Sequence, residues 1–366
     1  MKNGIVLFAI SFIALFLNSC STELEVAANY KEIPVIIGLL NKNDSVQYIK
    51  VNKAFLNTEG NAIVVGNVSD SNLYPYPITV KLYWYRNSIS AANLVDSVTL
   101  DTTIISKDPG NFNQNNVFYK TPPGFRIRYN NTVSSTDTNW YIYELVVRRN
   151  SDNYLIAKSN TRIVEDFRIV SQGSFINLAD QGPDPEYPIE YKNSILRWSK
   201  PQWARQYNGY LTFRFREVDD VLGFNVEKTL TRQIFFNNIF DNPSVTTGEF
   251  AYTVVGKDFY EWLQSNLDPL PNSTSRREYI APLEFTFELA GDDLSQYYQI
   301  NNNNVSLSDV SPEYTNIQGG YGIFSSRTKR VFRETIRTNI SQPSITELKD
   351  GRITGRAAGS NDLGFR

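Results

Sequence analysis

The chain contains no histidine and a single cysteine, Cys20, in 366 residues. The first absence removes Ser-His-Asp and Cys-His catalytic arrangements, the H-E-x-x-H zinc helix and histidine-ligated metals generally. The second rules out an intramolecular disulfide, so the body must be stabilised by its core. A chain of this length can bury such a core, and two domains are expected. Charge of one sign is not in excess: 36 Lys and Arg stand against 38 Asp and Glu, a formal charge of −2. That leaves no global basic field to attract nucleic acid. Long apolar runs are missing too. After Leu17 no stretch approaches the ~20 apolar residues that a membrane-crossing helix needs.

What is present begins at the N-terminus. Lys2 precedes the apolar segment Ile5–Leu17, IVLFAISFIALFL, broken only by Ser11. It has the length of a signal-peptide core and is too short to span a bilayer comfortably. Leu17-Asn18-Ser19-Cys20 follows and resembles a bacterial lipobox: an aliphatic residue, then a small residue directly before the cysteine. Asn18 departs from the usual pattern. On this reading residues 1–19 are a lipoprotein signal peptide and Cys20 is the acylated N-terminus, its sulfur a thioether without thiol chemistry. Each buried acyl methylene contributes about 0.8 kcal/mol, and two or more chains anchor stably. Residues 20–31 then form a polar tether. Ser21, Glu23 and Glu25 resemble the acidic signal that sends Bacteroidota lipoproteins to the outer face of the outer membrane, so a surface-exposed, lipid-anchored outer-membrane location is expected.

Between residues 32 and 170 the chain reads as short strands separated by turn signals such as NTEGN and SDSNLYPYP. In ITVKLYWYRN, Ile78, Val80, Leu82 and Trp84 alternate with Thr79, Lys81, Tyr83 and Tyr85, the period of a half-buried strand. An Ig-like or transthyretin-like β-sandwich is expected here. Three prolines, Pro183, Pro185 and Pro188, mark an extended linker over 171–192. From 193 to 337 strands continue: Leu283, Phe285, Phe287 and Leu289 oppose Glu284, Thr286 and Glu288. Two helices are predicted after strands, at GKDFYEWLQSNL from Gly256 and at GDDLSQYYQIN from Gly291, each opening Gly-x-Asp-apolar with an acidic first turn. They are either a repeated strand-turn-helix unit or recurrent capping chemistry. The fold class is therefore mainly β, a sandwich followed by a β-rich α+β domain. Residues 338–366 are polar and glycine-rich, and a mobile or loosely docked tail is expected.

Catalytic signals are sparse. Asp219/Asp220, Asp292/Asp293 and Asp184/Glu186 are acidic pairs, but a glycosidase needs two carboxyls about 5–10 Å apart across a sugar, with one pKa raised. Turn and capping roles account for all three. The Asn/Asp-rich loops do not match the calcium loop D-x-[DN]-x-[DN]-G. No cofactor or metal is implied. QGGYGIF, with Gly319, Gly320 and Gly322, lacks both the dinucleotide and the P-loop patterns and reads as a tight turn entering a buried strand. Arg327, Lys329, Arg330, Arg333 and Arg337 form a basic cluster that reads as a solvated face or as a surface for an acidic partner. Asp44-Ser45-Val46, Asp96-Ser97-Val98 and Asp101-Thr102-Thr103 resemble Bacteroidota O-glycosylation acceptors.

Taken with the lipobox, EIPVIIGLLNKNDSVQYIKVNKAF and a C-terminal N-I-x-G-G-x-G-x-F motif (Asn316, Ile317, Gly319, Gly320, Gly322, Phe324) resemble a family of Bacteroidota outer-membrane lipoproteins carrying a domain of unknown function. The resemblance implies an N-terminal β-sandwich and an envelope role, often supposed to lie beside TonB-dependent transporters. It supplies no catalytic residue. The expected function is non-enzymatic binding of a partner protein or an envelope polymer. The alternative is glycan binding or carboxylate-dependent glycoside hydrolysis through aromatic platforms.

Overall fold

The structure, a computed structural model, describes residues 32–54, 72–106, 116–130, 140–170, 176–181, 189–239, 248–302, 314–333 and 340–366. The signal segment, Cys20, the tether, the Asp184/Glu186 pair, Arg337 and most of the Asn-rich loop at 108–116 lie outside them. The protein is mainly β. In the first half the strands are β1 (Pro34–Leu40), β2 (Tyr48–Lys53), β3 (Ile78–Arg86), β4 (Leu94–Thr99), β5 (Asp101–Ile104), β6 (Val117–Lys120), β7 (Tyr141–Arg149) and β8 (Leu155–Arg162). There follow β9 (Ala179–Gln181), β10 (Ile189–Tyr191), β11 (Asn193–Ser199), β12 (Gln206–Asp219), β13 (Phe224–Ile239) and β14 (Glu249–Val255). Helix α1 (Gly256–Asn266), β15 (Ser275–Ala290), α2 (Asp292–Asn302), β16 (Tyr321–Phe332) and α3 (Gln342–Asp350) complete the order.

The first half is a sandwich. A four-stranded sheet, β4-β3-β7-β8, faces β1, β2, β6 and β5 of a larger sheet. Alternation decides which side chains meet between them. Val80, Leu82 and Trp84 of β3 and Tyr143, Leu145 and Val147 of β7 pack with Ile36, Leu40, Ile49 and Val51 of β1 and β2. Trp84 stacks on Tyr143 with centroids 6.0 Å apart.

The larger sheet has eight strands in the order β13-β12-β15-β16-β1-β2-β6-β5. Its centre is a parallel pairing of β1 with β16, Val35 opposite Tyr321 through Leu40 opposite Ser326. Two halves are therefore distinguishable by their cores, but one sheet runs through both. In the C-terminal half one face of β12 and β15 buries Leu211, Phe213, Phe215, Leu283, Phe285, Phe287 and Leu289 against Leu196 and Trp198 of β11, Val254 of β14 and Phe259, Tyr260 and Leu263 of α1. Aromatic pairs crowd this layer, with Trp198 and Phe287 at 4.9 Å and Phe167 against both Phe287 and Phe332.

Two sequence expectations need correction. The described residues of the segment expected to be an extended linker, 171–192, are docked: β9 pairs antiparallel with β10, and Leu178 and Ala179 are buried in the C-terminal core, while Pro183, Pro185 and Pro188 lie outside the described residues. Nor is the C-terminus loose. Leu348, Leu363 and Phe365 are buried in that same core, and the Phe365 ring meets Phe213 edge-on at 5.8 Å. Arg277 donates to the carbonyl of Leu363, and the backbone of Arg277 pairs with Gly364 and Arg366. Ile340, Leu348, Leu363 and Phe365 are apolar anchors spaced through a polar sequence, and they suffice to dock it.

The two cores are also joined by charge. Lys42 and Arg330 converge on Asp166, at 2.6 and 2.9 Å. Burial pushes the Lys42 ammonium below its ordinary range, and the hydrogen bond and charge of Asp166 oppose that shift.

Candidate functional site

The N-I-x-G-G-x-G-x-F segment is where the halves lock. Asn316 behaves as a backbone surrogate. Its Nδ2 donates to the carbonyl of Phe324 at 2.7 Å, and its Oδ1 accepts from the Phe324 amide at 2.9 Å. Ile317 and Phe324 insert into the N-terminal core. Gly319 and Gly322 have φ of 91° and 104°, where L side chains are strained. A Cβ on Gly322 would lie 1.9 Å from the carbonyl oxygen of Ile36, and one on Gly320 would lie 2.3 Å from that of Pro34. The glycines thus allow β16 to press on β1. They open a strand, not a helix, and form no phosphate cradle.

The acidic pairs separate. Asp219 is buried in the β12–β13 turn. Its Oδ1 accepts from the amides of Val221 and Leu222, and its Oδ2 accepts from the hydroxyls of Thr274 and Ser275. Burial alone would raise this carboxyl, but those four donors outweigh it and hold the carboxyl well below the usual range. Asp220 pairs with Arg276 at 2.5 Å. Neither is positioned against the other's work.

Asp292 and Asp293 open α2, which leaves β15 at Gly291. The amide of Gly291 donates to the carbonyl of Ser326, and that of Leu294 to Ser325 Oγ. Gly256, at the start of α1, likewise donates to the carbonyl of Lys192. Close backbone approach is what the two Gly-x-Asp-apolar starts share. Their strands differ: β14 pairs with β11 alone, whereas β15 is interior to the large sheet.

The first turn of α2 lines a polar cavity of about 210 Å³ with Asn160, Thr161, Arg162, Trp203 and Asn316. Asp292 meets Arg205 at 3.3 Å, and the Tyr314 hydroxyl donates to Asp293 at 2.8 Å. Burial pushes the Asp293 carboxyl up; hydrogen bonds from Tyr314 and Asn316 oppose this, and the Asp292 charge adds to it. The Arg162 guanidinium lies over the Trp203 ring at 4.3 Å, and Trp140 meets the same ring edge-on at 5.5 Å. Trp203 has φ of 64°. A bulky residue in this region carries roughly 1–3 kcal/mol of strain and is held by its surroundings.

Leu294 and Tyr298 of α2 wall a larger cleft of about 330 Å³ over the outer face of β12, β15 and β16. Register builds its floor. Gln206, Ala290 and Arg327 stand side by side across β12, β15 and β16, and Asn208, Glu288 and Lys329 form the adjacent row. Leu294 and the exposed Tyr298 form one wall, Asn41 and Asp44 of the β1–β2 turn the other. That turn is fixed to β16 by Asn43, which donates to Thr328 Oγ1 and to the carbonyl of Lys329. Glu288 pairs with Lys329 at 3.2 Å. Burial raises the Tyr210 hydroxyl pKa, and Glu288 beside it adds to the rise.

The basic cluster divides between faces and partners. Arg330 turns inward to Asp166, Arg333 pairs with Glu284 and Lys329 with Glu288. Among the described residues Arg327 alone of these four has no acidic partner. The sequence reading named Arg327, Lys329 and Asp292/Asp293 but not Gln206, Asn208, Tyr298, Arg162 or Trp203. The polar alternation in LEFTFELA was the available signal, since it marks an outward row on β15.

No group of three or more Cys, Asp or Glu able to hold a metal ion occurs among the described residues. No helix among them is long and apolar enough to cross a membrane. No protein-family model matches the chain, and no curated protein matches it.

Proposed function

We propose that this chain is a lipid-anchored outer-membrane lipoprotein that acts by binding rather than by catalysis, facing outward from its tether at Cys20. The ligand is an outer-membrane partner, of which a TonB-dependent transporter is the type, or a polymer of the envelope. The observation that carries the binding reading is the cleft beside α2. Where α2 meets the sheet it gathers amides, a guanidinium with no acidic partner among the described residues and an exposed tyrosine ring, groups suited to holding a polar ligand. The lipobox, the acidic tether and the family resemblance support the anchor. Mild crosslinking in native membranes followed by purification tests the proposal. One reproducible protein or polymer is expected to co-purify; a chain recovered alone from every preparation counts against it.

Glycoside hydrolysis is the second reading, favoured by one observation: the raised carboxyl of Asp293 in a polar cavity with Asp292 and Trp203 beside it. Turnover of envelope polysaccharides that disappears in Asp293→Asn would favour it over binding alone.

A further inference from the structure

We infer that the cleft between α2 and the outer face of β12, β15 and β16 binds a saccharide bearing a carboxylate. The inference rests on the binding reading above and names its ligand class. The volume of about 330 Å³ lies at the small end of ligand pockets and suits one or two sugar rings. The floor is polar by construction: Gln206 and Asn208 lie on one strand, with Glu288 and Lys329 in register beside Asn208. The amides of Gln206 and Asn208 carry both donors and acceptors, the two kinds of group a hydroxyl-rich ring requires. Tyr298 is 42% exposed at the wall, with Leu294 behind it, so an aromatic face is available to the C–H side of a sugar.

The carboxylate is assigned by Arg327. In this cleft Lys329 and Glu288 neutralise each other, and Asp44 is held by Asn41 at 3.0 Å. Arg327 has no acidic partner among the described residues, and its fork of donors fits a carboxylate bidentately. The cleft shares no lining residue with the Trp203 cavity, so the two readings involve different residues.

Titration of the detergent-solubilised full chain tests this, using a hexuronic-acid trisaccharide, a neutral hexose trisaccharide and acetate as probes. The acidic trisaccharide is expected to bind about thirtyfold more tightly than the neutral one, and Arg327→Ala to abolish that preference. Tyr298→Ala is expected to weaken both saccharides about tenfold. Both side chains are exposed, and unchanged circular dichroism and melting certify the variants. Equal binding of the two trisaccharides, or acetate binding as tightly as the acidic one, overturns the inference. Saccharide binding untouched by either variant also overturns it and leaves the general binding reading intact. If no saccharide binds but crosslinking captures a protein, the inference fails alone; if both are silent, both readings fail.

Discussion

Gly322 shows how one residue decides whether the halves join. Its φ of 104° and its approach to the Ile36 carbonyl leave no room for a side chain. Gly322→Ala should destabilise the protein by about 3 kcal/mol, combining left-handed strain with overpacking against backbone. Urea denaturation followed by tryptophan fluorescence measures it; a midpoint unchanged from wild type would contradict the assigned contact. The need for glycine in this motif was legible, because three glycines before an apolar strand restrict what the backbone does. The contact was not, since Ile36 lies far upstream and nothing local marks it. Asp219 makes the same point: its adjacency to Asp220 was visible, but its hydroxyl donors are Ser275, the first residue of β15, and Thr274 just before it.

Elements were read best where periodicity is long. The alternation of LEFTFELA gave β15 its faces, and both Gly-x-Asp-apolar starts are helices. The C-terminal segment was misread because its composition is polar while its scattered apolar residues, Ile340, Leu348, Leu363 and Phe365, are buried in the core. Phe365 is 1% exposed and sits among Phe213, Phe215 and α1. Phe365→Ala is expected to cost roughly 3–5 kcal/mol, as for a buried aromatic in a core. Melting by circular dichroism reads this out. A loss below about 1 kcal/mol would return the segment to the mobile tail that its composition suggests. The cleft beside α2 belongs to this scale as well, because its rows exist only once β12, β15 and β16 are in register.

At the scale of the molecule, the parallel β1–β16 pair makes one sheet of two halves, with Phe324 in one core and Phe332 in the other. The Lys42–Asp166–Arg330 group crosses the same seam. The halves should therefore unfold together. Calorimetry is expected to show a single transition whose van't Hoff and calorimetric enthalpies agree; two resolved transitions would mean that the halves are independent domains. Chain length led to the expectation of two domains and the prolines to the boundary between them; strand pairing between the chain's two ends leaves no local trace in a sequence.

The central claim is that this protein is tethered by lipid and works by binding. It is tested most directly at Cys20, by mass spectrometry of the N-terminal peptide of protein purified from native membranes. The account predicts a mature chain beginning at Cys20 and carrying a diacylglyceryl adduct, with Cys20→Ala released from the membrane fraction. An unmodified N-terminus at any other residue, with Cys20→Ala still membrane-bound, would contradict it.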